Sequence, residues 1–316
     1  ADVRQGPGCP VCVTTDAEFA EAALLAKSGK VLVSFGDVVR VPTRCGSLLD
    51  LRGKGADVRI VYSVEDAVTV AKETAKDVVF FAVGFETTAP STAATLLSDP
   101  PRNFSVLCSH RFVPPALHAL LSMGEVRLQG LIEPGHVSTV IGLKPYEELS
   151  RMHRLPQVVA GFEPLDVLVA VYMLARQVVE GRAEVENEYR RSVRYEGNQK
   201  ALKVIDAVFE PYDVPWRGFP TITRSGMALR SHFQHRDARR LFEDELEAVP
   251  QGDPRESKAC RCGDVLRGVM EPTDCPLFAR SCTPLAPVGP CMVSVEGSCQ
   301  IHYRYRHVGP RRTNLV

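Results

Sequence analysis

Six cysteines lie within forty residues near the end of this 316-residue chain, and this density of thiols constrains its fold and chemistry more than any other feature. Three kinds of structure account for such a segment: a subdomain closed by disulfides, a zinc site or an iron–sulfur cluster. Disulfide scaffolds suit short secreted chains, and the tight C-x2–4-C pairs typical of zinc sites do not occur here. The segment therefore favours an iron–sulfur cluster, with zinc and disulfides left as alternatives.

Four of these cysteines stand in a C-x14-C-x6-C-x16-C frame and are the predicted cluster ligands. Two more, Cys262 and Cys291, lie inside the frame. They either pair as a disulfide that exchanges electrons beside the cluster or remain buried free thiols. Glu296 lies between Cys291 and the last frame cysteine and is a candidate neighbour of the cluster. The four frame cysteines are Cys260, Cys275, Cys282 and Cys299.

A second cysteine motif, GPGCPVC (6–12), stands near the start of the chain and contains Cys9 and Cys12. A helical pattern follows directly, and a helix N-terminus lowers the pKa of a nearby thiol. The pair is therefore predicted to form an exchangeable disulfide or to hold a soft metal, with an inert structural pair as the alternative. Cys45 and Cys108 have no partner at a useful spacing, and Cys108 is predicted to be a core residue at the end of an apolar strand.

The overall composition excludes several classes of function. The 38 basic and 38 acidic residues balance, so the chain has no net charge to attract nucleic acid or an anionic membrane. No apolar stretch reaches the roughly 18 residues of a membrane span, and no signal peptide is visible, which predicts a cytoplasmic protein. The longest candidate, residues 167–175, predicts a buried helix. No Walker A loop, no G-x-G-x-x-G after a strand and no G-x-S-x-G motif supports a nucleotide or acyl-transfer site.

Short apolar runs alternate with helical patterns over the first two-thirds of the chain, which predicts an α/β fold with parallel sheets. GFE occurs twice, at 84–86 and 161–163, each time between a strand and a helix. We therefore expect two similar α/β lobes, residues 1–125 and 126–253, followed by a cysteine-rich module, 254–316. Predicted strands are 31–35, 58–62, 78–83, 104–108, 130–132 and 158–160, and predicted helices are 16–27, 64–76, 90–97, 114–123 and 165–180.

Residues 187–251 are predicted to be mostly helical, with a break around the single tryptophan, Trp216, and a hinge at 251–254. The cysteine-rich module that follows is rich in proline and is predicted to be mostly loop, so that a bound cluster would supply its missing cross-links. His136 follows a predicted strand in EPGHVST (133–139). It is a candidate iron ligand or proton carrier, unless it only satisfies a backbone carbonyl. Glu86 and Glu163 are candidates for positioning a bound group, with helix capping by Thr87 or Thr88 as the rival interpretation.

Nine segments together resemble the HypD family, whose members help to assemble the iron site of [NiFe]-hydrogenases. The resemblance runs from one end of the chain to the other. The matching segments are GPGCPVCVT (6–14), GADVRIVYS (55–63), FFAVGFETTAPSTA (80–93), NFSVLCSH (103–110), EPGHVSTVIG (133–142), AGFEPLDVL (160–168), NEYRRSVRYEGN (187–198), CRCGDVLRGVMEPTDCPLF (260–278) and CTPLAPVGPCMVSVEGSC (282–299).

The resemblance implies a scaffold that works with a small partner, HypC. The two hold one iron while carbon monoxide and cyanide ligands are attached, and the cyanide comes from a further partner, HypE. The completed group would go to the hydrogenase large subunit. By the same resemblance, the four frame cysteines bind a [4Fe-4S] cluster, Cys262 and Cys291 form a disulfide, and Cys9 and Cys12 are redox-active. Electrons would then pass from the cluster through thiols to the iron.

One family motif is missing. In the family, the iron-binding cysteine belongs to a C-G-x-H-type motif ahead of GPGCPVC, and this sequence, which begins at Ala1, contains no such motif. Either the natural chain extends further at its N-terminus or the protein holds iron in another way. The source of the carbon monoxide, the hydrogenase that is served and the surface that contacts HypC are not encoded in any motif that we recognise.

These observations lead to three hypotheses. We favour a cytoplasmic maturation factor that is a redox-capable scaffold and not an enzyme with ordinary turnover. A stand-alone iron–sulfur protein-disulfide reductase is the alternative, and turnover on a disulfide substrate without partners would support it. A zinc-stabilised interaction module is the third, and a colourless protein with one zinc and no sulfide would support that.

Overall fold

The computed structural model describes residues 2–43, 46–247 and 259–305, and within them the chain is an α/β protein, as predicted. The predicted hinge at 251–254, the lobe boundary at 253 and Cys45 lie outside the described residues, and the lobe boundaries stay predictions. The strands are β1 (Val31–Ser34), β2 (Val58–Ile60), β3 (Val78–Gly84), β4 (Phe104–His110), β5 (Leu131–Pro134), β6 (Gln157–Ala160), β7 (Val185–Asn187), β8 (Phe209–Pro215) and β9 (Thr221–Leu229).

Helices connect most of these strands, and several begin with a capping box, in which a side chain before the helix and one in its first turn bond each other's backbone N–H. The helices are α1 (Pro10–Val13), α2 (Asp16–Lys27), α3 (Gly36–Val39), α4 (Leu48–Gly53), α5 (Val64–Lys72), α6 (Ala89–Leu97), α7 (Val113–Met123), α8 (Gly135–Ile141), α9 (Lys144–His153), α10 (Pro164–Glu180), α11 (Gln199–Val208), α12 (Ala238–Leu241), α13 (Glu243–Leu246), α14 (Cys262–Leu266) and α15 (Ser298–Tyr305).

The first sheet contains four parallel strands in the order β2-β1-β3-β4. Every residue of β3 and β4 is buried, as expected for central strands that helices cover on both faces. The second sheet is smaller and also parallel, with the order β5-β6-β7. Both GFE segments follow a parallel strand and precede a helix, α6 in one case and α10 in the other, so the repeat predicted from the sequence corresponds to equivalent turns.

The prediction of a mostly helical segment at 187–251 is wrong, because β8 and β9 form an antiparallel hairpin there. Pro211 and Pro215 lie within β8 and argued against a strand, since proline lacks the N–H that a central strand needs. β8 is an edge strand that pairs with β9 alone among the described strands, so prolines are tolerated. The hairpin packs against β4 and α7, and Trp216 lies in its turn.

The prediction of a buried helix at 167–175 is also wrong in one respect. α10 is a helix, but it packs on β5 and β6 with one narrow face, on which only Asp166, Ala170 and Gln177 are buried. Leu168 and Tyr172 are about two-thirds exposed, at 66% and 65%. Its outer face is as apolar as its inner face, so the sequence alone did not distinguish the two.

The cysteine-rich region is mostly loop, as predicted, with the short helix α14, 3-10 turns at Pro272–Asp274 and Pro290–Met292, and the final helix α15. It has a small core of its own around Phe278, Cys282 and Met292. Polar contacts attach it to the first lobe, where Asp37 of α3 accepts a hydrogen bond from the Ser294 hydroxyl at 3.1 Å. None of the described helices has the length and apolar character needed to cross a membrane.

Candidate functional site

The six cysteines of the C-terminal region line one pocket, whose empty volume, including the part that is open to solvent, is about 330 Å³. α14 and the turn at Pro290–Met292 carry Cys262 and Cys291, and α15 carries Cys299 in its first turn. Gly289 approaches the pocket closely, because a Cβ atom at this position would lie 2.6 Å from the Cys260 sulfur. Apolar side chains complete the walls, namely Val265, Leu277, Phe278 and Met292.

The four frame cysteines have no disulfide partner among the described residues, and two of them have strongly raised pKa values. Burial, together with the charges of the neighbouring frame thiols, raises the pKa of Cys260 to about 11 and that of Cys299 to about 12. That mutual influence places the four sulfurs close together. Such thiols are protonated at neutral pH, so an iron ion that binds them has to displace their protons.

These residues fit a four-thiolate cluster better than a single ion. Four thiols facing an apolar pocket are the donor set of a [4Fe-4S] cluster, which takes one thiolate on each iron. A single zinc ion needs all four sulfurs about 2.3 Å from one point. Among the described residues, no group of three or more His, Cys, Asp or Glu side chains is arranged to hold one ion.

The two inner cysteines lie at disulfide-bonding distance, with the Cα atoms of Cys262 and Cys291 6.4 Å apart. Both are almost fully buried. The pair that the family resemblance implies is therefore compatible with the structure. It lies in the wall of the same pocket as the four free thiols, so electron exchange between the two sets would need little movement.

The N-terminal pair lies next to this region. Cys9 and Cys12 are also at disulfide-bonding distance, with Cα atoms 5.3 Å apart, and the Cys9 sulfur accepts a hydrogen bond from the Cys12 N–H at 3.1 Å. α1, which contains Cys12, contacts both α14 and the Pro290–Met292 turn. Cys9 and Cys12 are 1% and 0% exposed, so the pair is enclosed and not displayed at the surface.

The turn of the β8–β9 hairpin fixes α1 in this position, and sequence reasoning missed its role. Arg217 donates from its backbone N–H to the Val13 carbonyl at 2.8 Å and from its guanidinium to the Thr14 carbonyl at 2.9 Å. Gly218 follows with φ +78°, and a Cβ there would lie 2.3 Å from the Gly263 Cα in α14. One turn therefore contacts both α1, which carries Cys12, and α14, which carries Cys262. Its single tryptophan was the only signal in the sequence.

His136 and Glu296 lie near each other at the junction of three parts of the molecule. Partial burial raises the pKa of the Glu296 carboxyl, the negative charge of Asp37 raises it further, and the His136 imidazole opposes both effects. His136 is exposed in the first turn of α8, and its ring lies 3.9 Å from that of Phe162, centroid to centroid. The two residues predicted from separate motifs are thus brought together on an accessible surface.

Two further carboxylic acids, Glu86 and Glu133, are deeply buried. Burial raises the pKa of Glu133 to about 8 and that of Glu86 to about 7. Glu86 Oε1 accepts a hydrogen bond from the Val113 N–H at 3.0 Å. Glu86 Oε2 and Glu133 Oε1 have no hydrogen-bond partner among the described residues. The protonated forms of both acids are therefore favoured near neutral pH.

Other residues singled out from the sequence have local roles. Glu163 is the N-cap of α10 and shares a capping box with Asp166. Thr88 is the N-cap of α6, but its side chain makes no capping hydrogen bond, so the predicted capping by a threonine side chain is not found there. Asn198 is the N-cap of α11 and accepts hydrogen bonds from two backbone N–H groups. Cys108 is buried and donates from its thiol to the Met227 carbonyl at 3.1 Å, as expected for a core residue.

Comparisons of the chain with a family model and with known proteins point to the same family. The model of the family described as "HypD: Hydrogenase formation hypA family" matches residues 1–306. A Methanocaldococcus jannaschii protein, whose name carries the words hydrogenase expression/formation protein, is 50% identical over 310 residues, which are 97% of this chain and 85% of the relative. The hydrogenase maturation factor HypD of Cupriavidus necator is 46% identical over 313 residues, 95% of this chain and 81% of the relative.

A third relative agrees. The hydrogenase maturation factor HypD of Rhizobium leguminosarum is 44% identical over 320 residues, 96% of this chain and 82% of the relative. The match covers both sheets and the cysteine-rich region, and it confirms the resemblance seen in the motifs. The chain therefore belongs to the HypD family of hydrogenase formation proteins.

Proposed function

We propose that this chain is a hydrogenase maturation factor that acts as a redox-capable scaffold. The relatives' names support the maturation role. The redox role is supported by the proximity of two cysteine pairs to four free thiols. Cys262 and Cys291 lie in the pocket of the four thiols, and α1, which carries Cys12, contacts both segments that carry Cys262 and Cys291. Thiols spread over the whole chain length have been brought into one buried region, which an inert structural disulfide would not require.

Within this proposal, Cys260, Cys275, Cys282 and Cys299 hold a [4Fe-4S] cluster. When bound, such a cluster supplies one-electron redox chemistry at a potential set by its surroundings. The apolar walls of the pocket limit contact with water, and the raised pKa values of Cys260 and Cys299 make loading depend on proton release.

The Cys9–Cys12 pair is proposed as the immediate two-electron donor. Oxidation of the dithiol to the disulfide releases two electrons and two protons. Removing cyanide from its carrier consumes two electrons and one proton, and gives the protonated carrier and a cyanide ion. The second proton is released. In its dithiol form the Cys262–Cys291 pair can restore the Cys9–Cys12 dithiol by thiol–disulfide exchange across the contact between α1 and α14, and it is itself left as a disulfide. A cluster in the pocket would supply the two electrons that reduce it again, one at a time.

The cargo of the scaffold is one iron with cyanide and carbon monoxide ligands, assembled with HypC and with cyanide from HypE. The exposed junction of His136, Phe162 and Glu296 supports this part, because it offers an imidazole and a carboxylate at a surface that a partner can reach. Both groups are ligand types that iron accepts. The hydrogenase large subunit would receive the completed group.

A stand-alone disulfide reductase is a weaker candidate. In thiol–disulfide exchange the attacking sulfur must reach the substrate sulfur directly. Cys9 and Cys12 are enclosed by α14, the Pro290–Met292 turn and the hairpin turn, so a protein disulfide, like the cyanide carrier, reaches them only after this region opens. The names of the relatives favour the maturation role over the reductase.

Substitution of Cys9 by alanine tests the proposal in a host that lacks its own family member. Cys9→Ala should abolish hydrogenase maturation, while iron and sulfide content stay at wild-type levels, since Cys9 is not among the pocket thiols. Cys108→Ala is the matched control, because it removes another buried thiol away from the pocket, and it should support maturation. Normal maturation by Cys9→Ala would contradict the redox role, and turnover of a model disulfide by the wild type without partners would favour the reductase.

A further inference from the structure

Two histidines lie side by side at the contact between α7 and α9, away from the cysteine pocket. His118 Nδ1 is 3.0 Å from His153 Nε2, and the ring centroids are 5.1 Å apart with an interplanar angle of 55°. α7 packs on the hairpin beside the first sheet, and α9 contacts β7 of the second sheet. The pair therefore joins helices that belong to the two different sheets, and nothing in the proposed function uses it.

The distance between the two nitrogens is compatible with a hydrogen bond and also with the binding of both nitrogens to one metal ion. A ring N–H donating to a ring nitrogen produces this separation when one imidazole supplies the lone pair. Two imidazoles on one metal ion produce it as well. With each nitrogen about 2.0–2.1 Å from the ion, an angle of roughly 90–110° between them places the nitrogens about 3–3.4 Å apart. Small ring rotations would point both lone pairs at one ion.

We propose that His118 Nδ1 and His153 Nε2 together bind one divalent transition-metal ion, which links α7 to α9. Imidazole nitrogen suits Zn²⁺, Ni²⁺ and Cu²⁺ and does not favour Mg²⁺ or Ca²⁺. His153 is the last residue of α9, where the free carbonyls of the helix end favour a cation. His118 is exposed and His153 is half-buried, so water can reach the remaining coordination positions.

The site has two protein ligands among the described residues, since no third His, Cys, Asp or Glu completes a group there. It therefore binds less tightly than a structural zinc site with four protein ligands. Its effect is mechanical: an ion shared by α7 and α9 restricts movement of the two sheets relative to each other. This property is independent of the redox role, and either can fail without the other.

Zn²⁺ titration of the anaerobically purified full chain, labelled with ¹³C-histidine, tests the proposal by NMR. His118→Gln and His153→Gln each remove one imidazole signal and so assign it. In the wild type these two signals should shift together and follow a single binding curve. Each substitution should lower the affinity seen at the remaining imidazole roughly 100-fold, because the second ligand no longer binds within the same molecule. Because the free thiols of the cysteine pocket also bind Zn²⁺, the imidazole shifts are plotted against the free Zn²⁺ concentration.

His232→Gln is the matched control, because His232 is exposed and its ring contacts Phe233 and not a second imidazole. It should leave the curve unchanged. The proposal is overturned if the two signals do not shift, if they shift with different affinities, or if either substitution leaves the affinity at the other imidazole as in the wild type. Circular dichroism of each variant should match the wild type, as expected for substitutions outside the buried core.

Discussion

Glu133 shows how a single side chain sets a pH dependence in this protein. It is 2% exposed, its Oε1 has no hydrogen-bond partner among the described residues, and burial alone raises its pKa to about 8. In the unfolded chain the same carboxyl has a pKa near 4.5. A raised carboxyl pKa means that the folded state prefers the protonated form. The contribution of Glu133 to the free energy of unfolding is therefore fully present below about pH 4.5 and is lost as the pH rises through about 8.

Glu133→Gln should therefore change stability in a pH-dependent way. Glutamine keeps the shape of the protonated acid and cannot ionise, so the free energy of unfolding of the variant should rise relative to the wild type between pH 5.5 and 8.5. Urea unfolding at several pH values measures this difference. Glu148→Gln, at an exposed position in α9, should show no such trend. A difference between wild type and Glu133→Gln that is constant with pH would contradict the buried, protonated state.

At the scale of elements, the hairpin turn connects the two helices that carry the reactive cysteines. Gly218 combines a left-handed backbone with contact to the backbone of Gly263, so two independent constraints require glycine there. This turn packs against α1 and α14, which also contact each other directly.

Gly218→Ala should destabilise the protein by about 1–3 kcal/mol, because the added methyl group meets backbone that cannot move aside alone. Thermal or urea unfolding measures the loss. Gly181→Ala is the matched control, since Gly181 also has positive φ, +67°, but no atom lies within 4 Å of its added Cβ. Gly181→Ala should lower the free energy of unfolding clearly less than Gly218→Ala does. Equal losses in the two variants would show that backbone strain, and not contact with α14, decides the effect.

Elements with strong local signals were predictable from the sequence, and elements set by distant contacts were not. The bounds of α2 match the predicted 16–27, because Thr15 and Glu18 form a capping box that marks its start. β8 was missed, because its prolines are acceptable only at a sheet edge, which sequence does not reveal. The four-cysteine frame was visible as a spacing, whereas its proximity to α1 depends on contacts such as Arg217 to Thr14, 203 residues apart.

At the scale of the whole molecule, several polar contacts attach the cysteine-rich region to the first lobe. Asp37 accepts hydrogen bonds from the Ser294 hydroxyl and the Val295 N–H, and Gln5 donates to the Glu296 carbonyl at 2.7 Å. These contacts place Glu296 opposite His136 of the second lobe. The candidate iron-handling surface therefore exists only when all three parts are docked.

Asp37→Asn should lower the pKa of the Glu296 carboxyl. The substitution removes a negative charge that raises this pKa and retains an oxygen for the Ser294 hydroxyl. NMR titration of the Glu296 carboxyl carbon measures the shift. Asp77→Asn, at an exposed position beside β3, should leave it unchanged. An unchanged pKa in Asp37→Asn would mean that the cysteine-rich region does not dock on the first lobe as described.

Iron and acid-labile sulfide, measured per chain after anaerobic purification, test the role of the cysteine pocket most directly. The wild type and Cys108→Ser should contain about four irons and four sulfides and show the broad absorbance of a [4Fe-4S] cluster. Cys282→Ser should lose most of both, because Cys282 is one of the four free thiols of the pocket. Full iron and sulfide in Cys282→Ser, or a wild type that contains zinc and no sulfide, would contradict an iron–sulfur centre in this pocket.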